Sequence, residues 1–288
     1  MPELPEVENV VRGLSYLSGK RLRSLEVFDS RVWFESPLSS KKLTGIKLLE
    51  VARRGKYILL RFEKGLTLIQ HLRMTGKMLE STNPGIPSHI RKALGAQGRG
   101  LQIRCRFIFE KEEIWFYDTR RFGTLTLVKD EEAYFQKKKI APDPFHDPLK
   151  AYEQFKRGLS KSKKPIKSAL LDQSIVAGVG NIYADEALHL MRIHPLKKGS
   201  QVTDLKKLWK EIISLLERSI ESGGSTIRNY VNASGEKGSF AQEHLVYGKT
   251  GSACPSCRTA ISRIIVGGRA THFCLSCQPK KTSDLLVK

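Results

Sequence analysis

Two cysteine pairs near the C-terminus, Cys254-Pro-Ser-Cys257 and Cys274-Leu-Ser-Cys277, decide more of the fold than any other stretch of the sequence. The gap between the pairs, residues 258–273, has a length typical of a four-cysteine zinc site. Four thiolates leave no coordination position open for a substrate water, so we expect one structural zinc ion. Disulfide bonds are the alternative, and a chain without a secretion signal disfavours them.

The segment between the pairs predicts a β-hairpin. Residues 261–266 and 269–273 alternate like strands, and Gly267-Gly268 between them suits a two-residue turn. Arg269 directly follows the glycines, where its guanidinium group can bind a phosphate in a bidentate manner. The alternative is an ordinary solvated arginine.

The charge balance of the whole chain indicates a polyanionic partner. Its 288 residues include 50 Lys+Arg and 29 Asp+Glu, a formal net charge of +21, and 40% of them are hydrophobic. This length and apolar content fit about two folded domains and exclude disorder. Nucleic acid is favoured over an acidic membrane surface because the chain shows neither a basic amphipathic helix nor a lipidation motif. Surplus lysine that only improves solubility is the alternative.

The start of the chain predicts that no signal peptide is present. Its first 20 residues contain Glu3, Glu6 and Glu8 and no apolar segment. No apolar run approaches the roughly 20 residues that a transmembrane helix needs. We therefore expect a cytoplasmic protein that does not bind membranes.

The first part of the chain predicts one helix followed by a sheet-based domain. Val7, Val10, Val11 and Leu14 repeat at helical spacing. Within residues 101–109 the alternation places Cys105 in the core as a small hydrophobic side chain. The strand-like segments are 24–28, 57–62, 66–72, 101–109, 113–118 and 123–128.

Later segments predict a boundary and then a helical domain. Residues 81–100 have the composition of a loop, and the proline-rich segment 137–148 is typical of a linker. Beyond it, Thr203 is the expected cap of a helix that Gly223-Gly224 ends. One face of this helix carries Leu205, Leu208, Trp209, Ile212, Leu216 and Ile220.

A basic run predicts an anion-binding region in the helical domain. The run from Lys156 to Lys167 contains no acid, and it precedes Gly178-Val-Gly-Asn181 and a helix. Two glycines that open a helix expose backbone N–H groups beside the positive end of its dipole. A solvated surface is the alternative. The basic residues are Lys156, Arg157, Lys161, Lys163, Lys164 and Lys167.

The N-terminal Met1-Pro-Glu-Leu-Pro-Glu6 has two interpretations. Removal of Met1 would leave Pro2 as a secondary amine, which can attack C1′ of a sugar and form an iminium ion. The carboxylate of Glu3 could then supply the proton that opens the sugar ring. In the alternative, which composition alone favours, the proline and the acids only begin a helix.

Four motifs together resemble the bacterial formamidopyrimidine-DNA glycosylase family. The resemblance extends over residues 1 to about 278. Leu4 stands where the related endonuclease VIII branch usually has glycine, which favours the branch that acts on purine lesions. The motifs are Met1-Pro-Glu-Leu-Pro-Glu-Val-Glu8, Asp118-Thr-Arg-Arg-Phe-Gly123, Gly178-Val-Gly-Asn-Ile-Tyr183 and the zinc cysteines.

The resemblance implies a multidomain α+β fold with DNA between the domains. An N-terminal β-sandwich with flanking helices is expected over residues 1–135, followed by a linker over 136–149. A helical helix–two-turn–helix domain over 150–238 and a four-cysteine zinc finger over 239–278 precede a basic tail, 279–288. A flexible loop at about 229–242 is expected to contact the damaged base.

By the same resemblance, Pro2 is the Schiff-base nucleophile and Glu3 the general acid. Lys56 matches the lysine that assists β-elimination, and Arg269 matches the arginine linked to δ-elimination and phosphate binding. Thr119 departs from the pattern, since proline is often found there.

The resemblance also implies a set of DNA-binding residues. Met74, Arg120 and Phe122 match the side chains that fill the gap left by an everted base. Outside this match, the same three residues would be a core methionine, a surface arginine and a core phenylalanine. Lys167 and Asn181 match positions that hold phosphates, and the basic run adds Lys163 and Lys164. Glu186 matches an acidic position in the second helix of the helix–two-turn–helix motif.

The implied function is a bifunctional DNA glycosylase/AP lyase that excises oxidised purines such as 8-oxoguanine and formamidopyrimidines. We expect a monomer that binds damaged double-stranded DNA in the bacterial cytoplasm, associated with the nucleoid. Two alternatives remain: an oxidised-pyrimidine glycosylase of the same family, and a non-catalytic zinc-ribbon protein that binds DNA or RNA.

Overall fold

The computed structural model describes residues 1–81, 102–225 and 238–280. The chain divides into two compact units, Met1–Lys138 with Ile220–Ala241 and Lys139–Ser219 with Gln242–Lys288. Most of the predicted loop 81–100, of the loop expected to contact the lesion and of the basic tail lies outside the described residues. The domain boundaries taken from the sequence stay a prediction.

The first unit begins with helix α1, Leu4–Leu14, as the sequence predicts. Glu3 is its N-cap residue, and a capping box joins Glu3 and Glu6. The apolar stripe that faces the core consists of Leu4, Val7, Val10, Val11 and Leu14.

Two antiparallel four-stranded sheets form a β-sandwich in this unit. The strands are β1 Ser24–Val27, β2 Leu48–Arg54, β3 Tyr57–Phe62, β4 Leu66–His71, β5 Lys77–Glu80, β6 Ile103–Ile108, β7 Glu113–Tyr117 and β8 Thr124–Val128. One sheet has the strand order β1-β6-β7-β5 and the other β2-β3-β4-β8. Their inner faces and helix α1 share one hydrophobic core, which includes Leu60, Leu68, Phe107 and Phe116. Cys105 lies in this core with no exposed surface, as predicted.

The sequence missed two of these strands. In β2 the pairing register shifts between Leu48 and Glu50, so a bulge breaks the alternation that would have revealed it. Strand β5 has only four residues, Lys77–Glu80, and a charged residue at each end.

The first unit also contains helix α2, Glu131–Lys137, and the described part of the second unit is helical up to its C-terminal hairpin. It contains α3 Pro148–Ser160, α4 Ile166–Leu170, α5 Asn181–Leu190 and most of α6 Leu205–Glu221. The predicted apolar face of α6 is confirmed, since Leu208, Ile212 and Leu216 are fully buried. The predicted cap is wrong by one residue: the side chain of Asp204, not Thr203, accepts the N–H of Lys207 at 2.9 Å.

The C-terminal hairpin of the second unit consists of β9, Ile261–Val266, and β10, Arg269–Cys274. Gly267 and Gly268 have φ values of +55° and +74°, as a two-residue turn of type I′ requires. Single turns of 3-10 helix lie at Ser15–Leu17, Ser30–Val32, Ser40–Leu43, Glu63–Gly65, Gly199–Gln201 and Phe240–Glu243. Among the helices of the described residues, none has the length and apolar character that crossing a bilayer requires.

Candidate nucleic-acid interface and zinc site

The N-terminus of helix α1 holds Pro2 and Glu3 in a fixed backbone conformation. The N–H of Glu3 donates to Glu6 Oε2 at 2.8 Å, and the Glu3 carboxylate accepts the N–H of Glu6. Glu6 Oε1 also accepts the N–H of Ser225 at 2.8 Å. Pro2 is buried, and Met1 before it is 51% exposed. Glu3, Pro5 and Glu6 therefore take part in the start of helix α1, and Pro2 precedes its N-cap residue.

Lys56 lies in the two-residue turn between β2 and β3 and is 4% exposed. Gly55 before it has φ +56°, which a side chain would strain. Arg53 Nε donates to Glu8 Oε2 at 2.7 Å, a hydrogen bond that connects strand β2 to helix α1. Burial alone would raise the pKa of Glu8, but the hydrogen bonds and charges of Arg53 and Arg12 lower it.

His71, at the end of β4, is a candidate that the sequence analysis missed. Its Nδ1 accepts the N–H of Arg73 at 2.9 Å. Burial, followed by the charges of Arg73 and Lys56, lowers the pKa of His71 well below its usual value. The ring is therefore neutral, and its proton is on Nε2. The sequence signal that could have revealed this residue is a histidine near the end of the predicted strand 66–72, three residues before Met74.

Met74, Arg120 and Phe122, which we call the wedge side chains, lie together on the first unit. Arg120 Nη1 lies 3.1 Å from Met74 Sδ, and its guanidinium carbon lies 4.8 Å from the centre of the Phe122 ring. Met74 is 45% exposed and Phe122 50%. The alternative in which these two apolar residues fill the core is wrong.

In the second unit, Arg269 is exposed at the tip of the β9–β10 hairpin. The hairpin is fastened to helix α5: Asn181 Nδ2 donates to the carbonyl of Ala270 at 2.8 Å, and Asp185 Oδ2 accepts the N–H of His272 at 2.9 Å. A Cβ atom on Gly267 would lie 2.8 Å from Ser168 Oγ, so the turn closely approaches helix α4. Asn181 thus positions the strand that begins with Arg269.

Lys167 does not face solvent. Its side chain is 0% exposed, and its ammonium group donates to Asp185 Oδ1 at 2.6 Å and to the carbonyl of Asn181 at 2.7 Å. The phosphate contact expected of Lys167 does not fit this burial, because a buried ion pair already holds its charge. Lys163 and Lys164 of the same run are exposed, and Lys164 pairs with Asp172 at 3.1 Å.

Glu186, buried on helix α5, joins the helix to the segment that leads to the zinc finger. Its carboxylate accepts three consecutive backbone N–H groups, from Leu245 at 2.7 Å, Val246 at 3.0 Å and Tyr247 at 2.7 Å. Three such bonds offset the cost of burying this carboxylate.

The four cysteines fit a tetrahedral zinc ion. Their Sγ atoms all lie within 4.8 Å of one another, with Cys254 and Cys277 3.9 Å apart and Cys257 and Cys274 3.4 Å apart. A zinc–sulfur bond of about 2.3 Å in tetrahedral geometry separates the sulfur atoms by about 3.8 Å.

Comparisons with known proteins cover nearly the whole chain. Residues 1–125 match the model of the formamidopyrimidine-DNA glycosylase N-terminal domain, residues 140–231 that of the H2TH domain of the same family, and residues 251–280 that of a zinc finger found in FPG and IleRS. Formamidopyrimidine-DNA glycosylase of Streptococcus mutans is 42% identical over 96% of this chain and 99% of its own. The Bacillus subtilis protein of that name is 39% identical over 98% and 100%.

This chain belongs to the formamidopyrimidine-DNA glycosylase family. Solved structures agree: a Lactococcus lactis FPG variant in complex with Fapy-dG-containing DNA superposes with a TM-score of 0.83, at 38% identity over 97% of this chain and 100% of that one. The MutM (FPG) protein of Thermus thermophilus also gives 0.83, at 34% identity over the same shares.

Family membership assigns the predicted fold class and the metal. The N-terminal, H2TH and zinc-finger models follow one another in the predicted order. The zinc-finger model spans all four cysteines and Arg269, and the geometry of the sulfur atoms fits the ion. Cys254, Cys257, Cys274 and Cys277 are therefore the ligands of one structural zinc ion.

Proposed function

We propose that this chain is a DNA glycosylase/AP lyase that excises oxidised purines from double-stranded DNA as a monomer. The observation that carries the proposal is the exposed wedge side chains. Monomeric soluble proteins expose grouped apolar side chains mainly where a partner covers them. An apolar pair beside a guanidinium group matches a DNA duplex with one base everted, in which base faces and one unpaired base edge must be covered.

The chemistry begins at Pro2 once Met1 has been removed. The secondary amine attacks C1′ of the damaged nucleotide, the bond from C1′ to the base breaks, and the base leaves with a proton. In this scheme Glu3 protonates the ring oxygen of the sugar, so that the ring opens and an iminium ion forms. The capping box holds the Glu3 backbone beside Pro2, which keeps acid and nucleophile adjacent.

The iminium ion then accepts electrons during β-elimination. Loss of a proton from C2′ breaks the C3′–O bond and releases the phosphate on the 3′ side. Loss of a proton from C4′ in a second elimination breaks the C5′–O bond and releases the phosphate on the 5′ side. We assign the assistance of β-elimination to Lys56 and the phosphate contacts to Arg269 and the Nε2–H of His71. The neutral ring of His71 can donate a hydrogen bond to a phosphate oxygen without carrying charge.

Covalent trapping tests this proposal. Borohydride should reduce the iminium ion and link the protein to an 8-oxoguanine duplex through residue 2. Protein purified with Met1 retained, verified by mass spectrometry, is the matched control, and it should form much less adduct and none through residue 2, because the amide nitrogen of Pro2 is not nucleophilic. An equal yield of adduct with Met1 retained would place the nucleophile elsewhere.

A panel of duplexes with single defined lesions decides between the alternatives. Faster excision of oxidised purines than of oxidised pyrimidines supports the proposal, and the reverse order favours the pyrimidine enzyme of the same family. A zinc-ribbon protein that only binds nucleic acid would form no adduct with any duplex. Chromosomal DNA as substrate also leads us to propose a position on the bacterial nucleoid.

A further inference from the structure

One buried carboxylate connects the two loops that carry the wedge side chains. These wedge loops are residues 72–76, with Met74, and residues 118–123, with Arg120 and Phe122. Asp118 has no exposed surface. Its Oδ1 accepts the hydroxyl of Thr75 and, at 3.2 Å, the N–H of Arg120, and its Oδ2 accepts the N–H of Gly123 at 2.7 Å.

Thr75 completes the connection from the other loop. Its hydroxyl donates to Asp118 and accepts the N–H of Arg120 at 3.2 Å. Thr75, which follows Met74 in the sequence, is therefore hydrogen-bonded to the backbone of Arg120 in the other loop. The carbonyl of Asp118 accepts from Arg104 Nε at 2.7 Å, which fixes the start of the second loop on strand β6.

Both loops have a backbone that needs such support. Arg73 and Arg121 each adopt a positive φ, +54° and +59°, which non-glycine residues rarely do. Conformations of this kind persist only where the surrounding structure enforces them. Each loop also ends in a glycine without room for a side chain: a Cβ atom would lie 2.4 Å from the Leu72 carbonyl at Gly76 and 2.3 Å from the Phe116 ring at Gly123.

We propose that Asp118 and Thr75 are positioning residues for base eversion, which rests on the function proposed above. Neither group has to touch DNA in this role. The hydrogen bonds of Asp118 and Thr75, which we call the clamp, hold Met74, Arg120 and Phe122 in one arrangement before DNA binds. The cost of ordering the two loops is therefore not subtracted from the binding energy. Without the clamp the loops would sample other conformations, and eversion of the base would become less favourable.

Substitutions at Thr75 separate positioning from packing. Thr75→Val keeps the shape but removes the hydroxyl, and it should slow excision of a base lesion from duplex DNA about tenfold. Nicking at a pre-formed abasic site, which needs no damaged base everted, should stay within about twofold. Thr75→Ser keeps the hydroxyl and should restore the excision rate. Thr126→Val is the matched control, because it removes the bond to the Phe34 carbonyl at 2.8 Å from the same unit.

Asp118→Asn provides the second variant. The NH2 group of asparagine in place of either carboxylate oxygen would face a backbone N–H, of Arg120 or of Gly123, so that two donors oppose each other. We therefore expect slower excision and weaker preference for the base opposite the lesion. Asp130→Asn, at the exposed cap of helix α2, controls for the lost charge. Thermal melting of each variant identifies a loss of fold.

The outcomes distinguish this inference from the proposed function. If the wild-type protein does not excise lesions, the function itself fails. If the wild type is active and Phe122→Ala slows excision, while folded Thr75→Val and Asp118→Asn match the wild type, the positioning role is overturned. Equal losses of excision and of abasic-site nicking in these two variants would also overturn it, because they would indicate a general structural effect.

Discussion

The wedge loops of the first unit and the Lys167 site of the second invert the usual relation between polarity and burial. On the wedge loops, Met74 and Phe122 are about half exposed although both are apolar. In the second unit, Lys167 has no exposed side-chain surface although it carries a charge and belongs to the most basic run of the chain. In both places a buried aspartate, Asp118 or Asp185, accepts the hydrogen bonds that hold the arrangement.

The difference between the two regions lies in where the compensating partner is found. The charge of Lys167 is compensated inside the protein by Asp185, so its position serves the fold. The apolar surface of Met74 and Phe122 lies open to solvent, and a partner from outside can cover it. An exposed apolar group held by a buried polar clamp is therefore the stronger indication of a binding site.

The largest effect should follow from removing one member of the buried ion pair. Lys167→Ala leaves the Asp185 carboxylate buried without its ammonium partner, and we expect the free energy of unfolding to fall by about 3–5 kcal/mol. Chemical denaturation measures it. Lys163→Ala is the matched control from the same run, and it should change stability by less than about 0.5 kcal/mol. Equal stabilities of the two variants would contradict the buried role of Lys167.

Loss of the zinc site should come next. Cys257→Ser removes one of four thiolates, so we expect loss of the metal and of the fixed hairpin that carries Arg269. The affinity for DNA should fall about 10- to 100-fold, the loss typical of one charge-assisted phosphate contact. Metal content and DNA titration measure both effects. Full DNA affinity in metal-free protein would show that the hairpin does not depend on zinc.

Phe122→Ala should affect activity without affecting stability, the opposite of Lys167→Ala. Because Phe122 is half exposed, its removal should change the free energy of unfolding by less than about 0.5 kcal/mol. Excision from duplex DNA should slow about tenfold, since an everted base costs a few kcal/mol of stacking that the ring offsets. Single-turnover kinetics measures this rate. A wild-type rate would leave Phe122 a surface residue without function.

The sequence predicted those features that depend on neighbours along the chain. Helix α1, the Gly267-Gly268 turn and the four cysteines follow from spacings of a few residues, and the structure confirms them. The six predicted strands are also present within two residues at each described end. Strand β2 was missed because its bulge breaks the alternating pattern locally.

Features that depend on distant residues could not be found in this way. Lys167 differs from Lys163 through its bonds to the Asn181 carbonyl and to Asp185, which lie 14 and 18 residues away in the sequence. The clamp on the wedge loops joins Thr75 to Asp118, 43 residues apart. The roles of both lysines and the exposure of Phe122 depend on contacts that only the folded chain creates. The family resemblance implied a shared role for the wedge side chains, which lie together, and a phosphate contact for Lys167, which is buried.

The smallest expected effect compares two exposed lysines of the basic run. Lys163 and Lys164 are both exposed, but only Lys164 has an acidic partner in the described structure, Asp172 at 3.1 Å. Each phosphate contact adds roughly one unit to the slope of log affinity against log salt concentration. Lys163→Ala should therefore reduce the slope by about one unit, for damaged and undamaged duplexes alike. Lys164→Ala should reduce it by less, because its ammonium group must leave Asp172 before it can neutralise a phosphate. Titrations at several salt concentrations decide the order, and a larger loss from Lys164→Ala would show that the ion pair with Asp172 does not compete with DNA.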